Sequence, residues 1–158
     1  MKLQKLTPEY DAQLAQLIRT NLKNHGLDIP GTVYYDEGLD HLSTFYQEDP
    51  EHRAYFILTE EDEVTGGIGL AEFEGFPDCA ELQKLYLADR VKGQGLGYRL
   101  IARIEETARE LGYQWIYLET HTNLQAAIHI YERSGYVRID RPSCVVHSTM
   151  NRFYRKKL

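Results

Sequence analysis

The sequence predicts a mixed α/β fold: a central, mostly antiparallel sheet of about seven strands with one parallel crossover, flanked by about four helices. Three observations predict it. Apolar strand-like runs fall at 54–59, 64–74, 80–87 and 114–120, separated by turn residues. Two stretches between and after them carry helical periodicity and end in glycine. A glycine-rich turn joins one of the strands directly to the strongest helix.

The elements follow in order. Lys2–Leu6 alternates and reads as a short strand. Thr7-Pro8-Glu9 is a helix start, with Thr7 at the N-cap and Pro8 in the first turn; Leu14, Leu17, Ile18 and Leu22 give that helix its apolar face. Gly26, Pro30 and Gly31 end it. Leu39, Leu42, Phe45 and Tyr46 predict a short second helix before Pro50. Ala54–Thr59 and Val64–Glu74 form a hairpin around the acidic run Glu60–Glu63, which is a solvated turn. Gly66-Gly67 marks a bulge or a close approach.

Ala80–Leu87 is the next strand, and Gly95–Leu111 a helix with Leu96, Leu100, Ile101, Ile104, Ala108 and Leu111 on one face. Gly112 stops it as a left-handed cap. With Gln114–Thr120 this makes a right-handed parallel crossover. Thr122 and Gln125 have capping-box spacing for a helix reaching Ser134, ended by Gly135. Tyr136–Ile139 and Val145–Phe153 are the last strands.

The chain has 158 residues, with neither repeats nor linkers. At roughly 150 residues per domain that is a single domain, 1–158. The formal net charge of −6 argues against nucleic-acid or anionic-membrane partners, which need a basic surface. Two cysteines, Cys79 and Cys144, are too few for a disulfide framework or a thiolate zinc site. His25, His41, His52, His121, His129 and His147 show no metal-ligand spacing, so no metal is expected. Met1–Lys5 runs into Thr7-Pro8 without the apolar region of a leader, and no stretch is apolar enough to span a membrane. The expectation is a reduced, cytoplasmic protein.

The informative segment is Leu85-Tyr86-Leu87-Ala88-Asp89-Arg90-Val91-Lys92-Gly93-Gln94-Gly95-Leu96-Gly97. Three alternate glycines between strand and helix remove Cβ atoms that would block a ligand. Successive backbone N–H groups can then point at one concavity, reinforced by the helix dipole. That is a pyrophosphate cradle, with Lys92 beside it. A tight turn alone would need only one glycine. The nucleotide P-loop pattern is absent, and the dinucleotide pattern fails because its third glycine would fall on Tyr98 or Leu100.

Lys92-Gly93-Gln94-Gly95-Leu96-Gly97 resembles the Q/R-x-x-G-x-G/A signature of the GNAT superfamily of N-acetyltransferases. Asn123-Leu124-Gln125-Ala126-Ala127, Tyr131 and Gly135-Tyr136 resemble its N-x-x-A…Y-x-x-x-G-[FY] pattern. The element order is similar over nearly the whole chain, and the motifs are specific between 81 and 136. The first signature position is Lys92 rather than Gln or Arg, a change bearing on one side-chain contact.

The resemblance implies an acetyl-CoA cosubstrate and transfer of its acetyl group to an amine without a covalent enzyme intermediate. It places the pyrophosphate on the amides of Gly93 to Gly97, hence on the turn with Lys92, Gln94 and Leu96. Arg133 would reach the adenosine 3′-phosphate, or serve simply as a helix-end cation. Leu85 and Leu87 would present backbone groups to the pantetheine arm, the Leu85 N–H facing the thioester oxygen. Asn123 would contact CoA, and equally suits a helix N-cap.

Tyr131 matches the tyrosine that protonates the leaving thiolate, on a stripe with Leu124 and Ile128 that also suits core packing. For the base that deprotonates the amine, Glu81 is favoured. It lies four residues before Leu85, where histone-acetylating members of the superfamily carry their glutamate. Strict alternation would also put it on one face with Gln83, Leu85 and Leu87. Glu72, Glu74, Glu119 and His121 are rivals.

The acceptor is a small-molecule or peptide amine, entering between 24–46 and 136–150. Tyr34, Tyr35, Asp36, Glu37 and Asp40 mildly favour a cationic one. The competing reading is a non-catalytic acyl-CoA-binding or sensor module on the same fold. Dimers are common in the family, and a homodimer fits the resemblance.

Overall fold

The computed structural model describes residues Met1–Leu158. The strands are β1 (Lys2–Lys5), β2 (Ala54–Glu60), β3 (Glu63–Glu72), β4 (Cys79–Leu87), β5 (Trp115–Thr120), β6 (Val137–Ile139) and β7 (Arg152–Lys157). The helices are α1 (Asp11–Asn24), α2 (Leu42–Glu48), α3 (Leu96–Glu110) and α4 (Gln125–Arg133). One seven-stranded sheet runs in the order β1-β2-β3-β4-β5-β7-β6. Only β4 and β5 pair in parallel, joined through α3; every other pair is antiparallel.

The two sheet faces bury different helices. On one, Leu100, Ile101, Ile104 and Ala108 of α3 and Ile128 and Tyr131 of α4 pack on Phe56, Leu58, Ile68, Leu70, Leu82 and Leu118. Each fully buried aliphatic side chain there contributes about 2 kcal/mol of transfer free energy. On the other, Leu14, Ile18 and Leu22 of α1 and Leu42 and Tyr46 of α2 pack on Tyr55 and Ile57. No helix is long and apolar enough to cross a membrane.

Helix ends obey the glycine expectations. Gly112 (φ 90°) and Gly135 (φ 91°) are left-handed. After each, a backbone N–H reaches back five residues, Tyr113 to Ala108 and Tyr136 to Tyr131. The start signals are weaker than expected. Thr7 precedes a 3-10 turn, Pro8–Tyr10, that leads into α1, and its side chain caps nothing. The capping box does not form either. α4 begins at Gln125, whose side-chain amide donates to the Thr122 carbonyl at 2.5 Å, while the Thr122 hydroxyl accepts from Asn151.

The last strand starts later than expected. Val145 and Val146 read as strand, yet 145–151 is a loop in which Val146 is 85% exposed. This loop folds over the end of the sheet so that His147 reaches Asp36. That long-range contact overrides the β-preference of two valines.

The largest departure from alternation lies in β4. Between Gly67↔Tyr86 and Gly69↔Gln83, β4 holds one residue more than β3. The extra residue is a bulge at Lys84, which takes a left-handed φ of 51°. Ala80 and Leu82 before it and Leu85 and Leu87 after it therefore all face α3, while Tyr86 turns to the α1 side. Glu81 and Gln83 are thus on the opposite face from Leu85 and Leu87, correcting the strict period of two.

The bulge is held from β2, two strands away, and from α2. The Tyr55 hydroxyl donates to the Lys84 carbonyl at 2.8 Å, and the Tyr46 hydroxyl to Gln83 Oε1 at 2.6 Å. Both rings cross β3 where it has no side chains. A Cβ on Gly67 would lie 2.7 Å from the Tyr55 ring, and one on Gly69 2.6 Å from the Tyr46 hydroxyl. Gly66, in turn, admits Leu87 on the α3 side, where a Cβ would meet it at 2.6 Å.

Candidate active site

The parallel pairing of β4 with β5 is short. Cys79, Ala80 and Glu81 register with Trp115, Ile116 and Tyr117, and no pair follows. Beyond Glu81 the strands splay, and a cavity of about 550 Å³ opens between them. That volume is in the range of small-molecule sites. Its walls come from β4, the glycine turn, the start of α3, β5, α4 and the end of α1.

One end of the cleft is an amide-lined anion site. None of the backbone N–H groups from Gly93 to Tyr98 has an acceptor in the chain; the first helical bond is Arg99 N–H to the Gly95 carbonyl. Gly93 (φ 78°) and Gly95 (φ 75°) are left-handed, and a Cβ on either would project into open space. Gly97 serves a different purpose: a Cβ there would lie 2.8 Å from Ile130 Cδ1, so it admits α4 against α3. Thus two glycines shape the cradle and the third closes the helix packing. Lys92 lines the cleft with its ammonium 2.6 Å from Asp89, while Gln94 turns its amide to the Arg90 carbonyl and stays off the cleft wall.

The middle is apolar. Leu85, Leu87, Leu96 and Tyr131 line it. Tyr131 is 5% exposed, and its hydroxyl makes no hydrogen bond within the chain. Burial pushes this phenol above its ordinary pKa, so it keeps its proton at neutral pH.

The other end is charged. Glu81 Oε1 accepts from Gln83 Nε2 at 2.6 Å, and Gln83 in turn accepts from Tyr46. Desolvation raises Glu81 to about 6, against the Gln83 hydrogen bond that favours the carboxylate. Glu119 is engaged more fully. It accepts from the Tyr117 hydroxyl at 2.9 Å and pairs with His147 Nδ1 at 3.1 Å. The other nitrogen of His147 lies 2.8 Å from Asp36. Hydrogen bonds to Asp36 and Glu119 lift His147 to about 9, making it a cation at neutral pH. Lys84 completes the group, its ammonium 3.8 Å from Asp36.

This ion-paired histidine carries a stability prediction. Its folded pKa is above the ordinary 6.5, so its contribution is fully present below about pH 6.5 and lost as pH rises through about 9. The shift corresponds to up to about 3 kcal/mol. Urea denaturation from pH 6 to 10 should show a steeper alkaline loss in the natural chain than in His147→Gln. Identical slopes would remove His147 from the account.

Of the residues singled out in the sequence, Glu81, Leu85, Leu87, Lys92, Gly93, Gly95, Leu96, Gly97 and Tyr131 meet at this cleft. Asn123 and Arg133 do not line it. The Asn123 amide donates to the His25 carbonyl at 2.9 Å, tying the entry of α4 to the end of α1. Arg133 is exposed at the end of α4. Among the rival bases only Glu119 lines the cleft; Glu72 is held by Arg53, and the His121 ring accepts the Asn123 N–H.

The acidic character of the 34–40 loop is largely used internally: Asp36 holds His147 and Asp40 chelates Arg19 at 2.7 and 2.9 Å. Sequence reasoning missed Lys84, Gln83 and His147 as cleft residues. The bulge that turns Lys84 inward has no local signal, and His147 meets Asp36 across 111 residues.

A sheet split beside an amide-lined strand–helix turn is the architecture of an acyl-group transferase. Residues 20–136 match the model of the acetyltransferase (GNAT) family. The chain belongs to that family and is an N-acetyltransferase. YjgM, an uncharacterized N-acetyltransferase of Escherichia coli K12, is 37% identical over 140 residues, covering 87% of this chain and 83% of that one. A GNAT-family acetyltransferase of Staphylococcus aureus Mu50 superposes with a TM-score of 0.87 at 20% identity, covering 99% and 98% of the two chains. The PaiA N-acetyltransferase of Thermoplasma acidophilum, solved with coenzyme A, superposes with a TM-score of 0.76 at 18% identity, covering 99% and 98%.

Proposed function

We propose that this protein transfers the acetyl group of acetyl-CoA to a primary amine of a small molecule or peptide by direct attack on the thioester. The observation that carries the reading is the run of partnerless amides, Gly93 to Tyr98, opening onto the slot between β4 and β5. An acidic chain needs such a local anion site to hold CoA phosphates. The CoA complex of the Thermoplasma relative supports the same ligand.

CoA supplies the acetyl thioester. The residues around it supply the rest. The amides of Gly93 to Gly97, with Lys92, hold the pyrophosphate, and Arg133 meets the adenosine phosphate outside the cleft. Leu85 and Leu87 present backbone along the slot, the Leu85 N–H stabilising charge on the thioester oxygen. Glu81 takes the amine proton, directly or through one water; its pKa of about 6 leaves it mostly ionised at neutral pH. The amine nitrogen bonds to the acetyl carbon, the carbon–sulfur bond breaks, and Tyr131 gives its proton to the departing sulfur. Asn123 acts by fixing the entry of α4. The protein works in the cytoplasm, a reading supported by two cysteines that are both free thiols.

Thiol release from acetyl-CoA over a panel of amines tests the reaction; release above the amine-free rate supports it, and none from any amine refutes it. The pH profile tests the base. The rate should rise through about pH 6 in the natural chain, and Glu81→Gln should lose this acidic limb and about 10²-fold in kcat. A limb that survives the substitution assigns the proton to another group.

A further inference from the structure

We propose that the acceptor is a free amino acid, and that Lys84 is the residue that selects it by binding its carboxylate. This rests on the acetyl-transfer reading and names the substrate class for the same cleft.

The argument starts from how unusual this lysine is. It occupies the bulge in β4 with a left-handed φ of 51°, a conformation that carries strain for any residue with a Cβ. The hydroxyl of Tyr55 holds its carbonyl in place. The side chain is turned inward and is 10% exposed. It lines the cleft, on the side away from Leu85 and Leu87. A lysine so deeply placed ordinarily finds hydrogen-bond acceptors for its three donors. This one finds none: its nearest acid, Asp36, is 3.8 Å away, beyond hydrogen-bond distance.

The neighbouring carboxylates make their short contacts elsewhere and leave the Lys84 donors open to an acceptor from outside. Asp36 and Glu119 both spend their short contacts on His147, at 2.8 and 3.1 Å. Glu119 also accepts from Tyr117. Glu81 has only the neutral Gln83 amide. The cleft therefore presents two groups of opposite sign with room for a charged hydrogen-bond partner, three residues apart across the bulge: the carboxylate of Glu81, and the ammonium of Lys84, which has Asp36 at 3.8 Å but makes no hydrogen bond. A zwitterion satisfies both: its amine meets Glu81, where it must lose a proton, and its carboxylate meets Lys84. A diamine would put its second cation beside Lys84 in a poorly solvated pocket, and a neutral amide would offer the ammonium only an uncharged acceptor.

The experiment compares matched acceptors. Free amino acids, their carboxamides and the corresponding decarboxylated amines are assayed for acetyl transfer, and their binding to the CoA-loaded protein is measured by calorimetry. The natural chain should favour the free acid over its carboxamide at least ten-fold in kcat/KM. In Lys84→Met the ratio should fall to about one, and Lys84→Arg should restore part of it. The comparison within the natural chain needs no variant to fold. Carboxamides or decarboxylated amines used as well as free acids overturn the inference, as does a preference that persists in Lys84→Met. If no amine is acetylated while free acids still bind through a contact that Lys84→Met removes, the transfer reading fails and the carboxylate-binding role of Lys84 stands.

Discussion

Gly95→Asp should leave a folded chain that has lost CoA binding by at least about 10²-fold, read by calorimetry with circular dichroism as the fold control. Gly95 opens α3 at φ 75°, and a Cβ there meets nothing within 4 Å. Aspartate accepts left-handed backbone better than most residues, so the conformational cost is about 1 kcal/mol. The carboxylate, however, enters the cleft among amides that have no other partner. It would occupy them itself and repel a pyrophosphate. Gly112→Asp is the matched control. It lies just past the other end of α3, at φ 90° with the same open space, and does not line the cleft. It should show similar strain and unchanged CoA affinity. Full affinity in Gly95→Asp would falsify the cradle.

Tyr131→Phe should lower kcat by about 10²-fold with CoA affinity held within about three-fold. The hydroxyl has no partner in the chain, so its removal orphans no buried group, and the ring keeps its packing against Tyr136 and Tyr154. What is lost is a proton held ready beside the cleft. The deficit should shrink with a thioester whose thiol is more acidic than that of CoA, since that sulfur departs without help. Equal deficits with both donors, or no deficit at all, would return Tyr131 to a packing role.

Much of this is legible in the sequence, for identifiable reasons. Local signals carried far: α3 was readable from its apolar stripe, its end from Gly112, and the anion site from Gly93 and Gly95. These features are written in adjacent residues. The acceptor end of the cleft was not readable in the same way. Glu81 reached the cleft although the face assigned to it was wrong, because one extra residue at Lys84 reverses the strand's parity. Gly66 and Gly67 hinted at an irregularity nearby, yet only the rings of Tyr55 and Tyr46, brought from β2 and α2, determine where it lies. His147 was hidden for a related reason. Its partners stand 28 and 111 residues away, and the valines before it suggested a strand.

The parity reversal in β4 puts the packing side chains of this strand and its polar ones on opposite faces. Ala80, Leu82, Leu85 and Leu87 all serve the apolar face against α3 and α4. Glu81, Gln83 and Lys84 belong to no apolar cluster. A change at Lys84 alone would therefore alter the polar wall of the cleft without touching the apolar packing of the strand. Polar groups facing the cleft and apolar groups facing the helices thus share one short segment, and a single bulge keeps them apart.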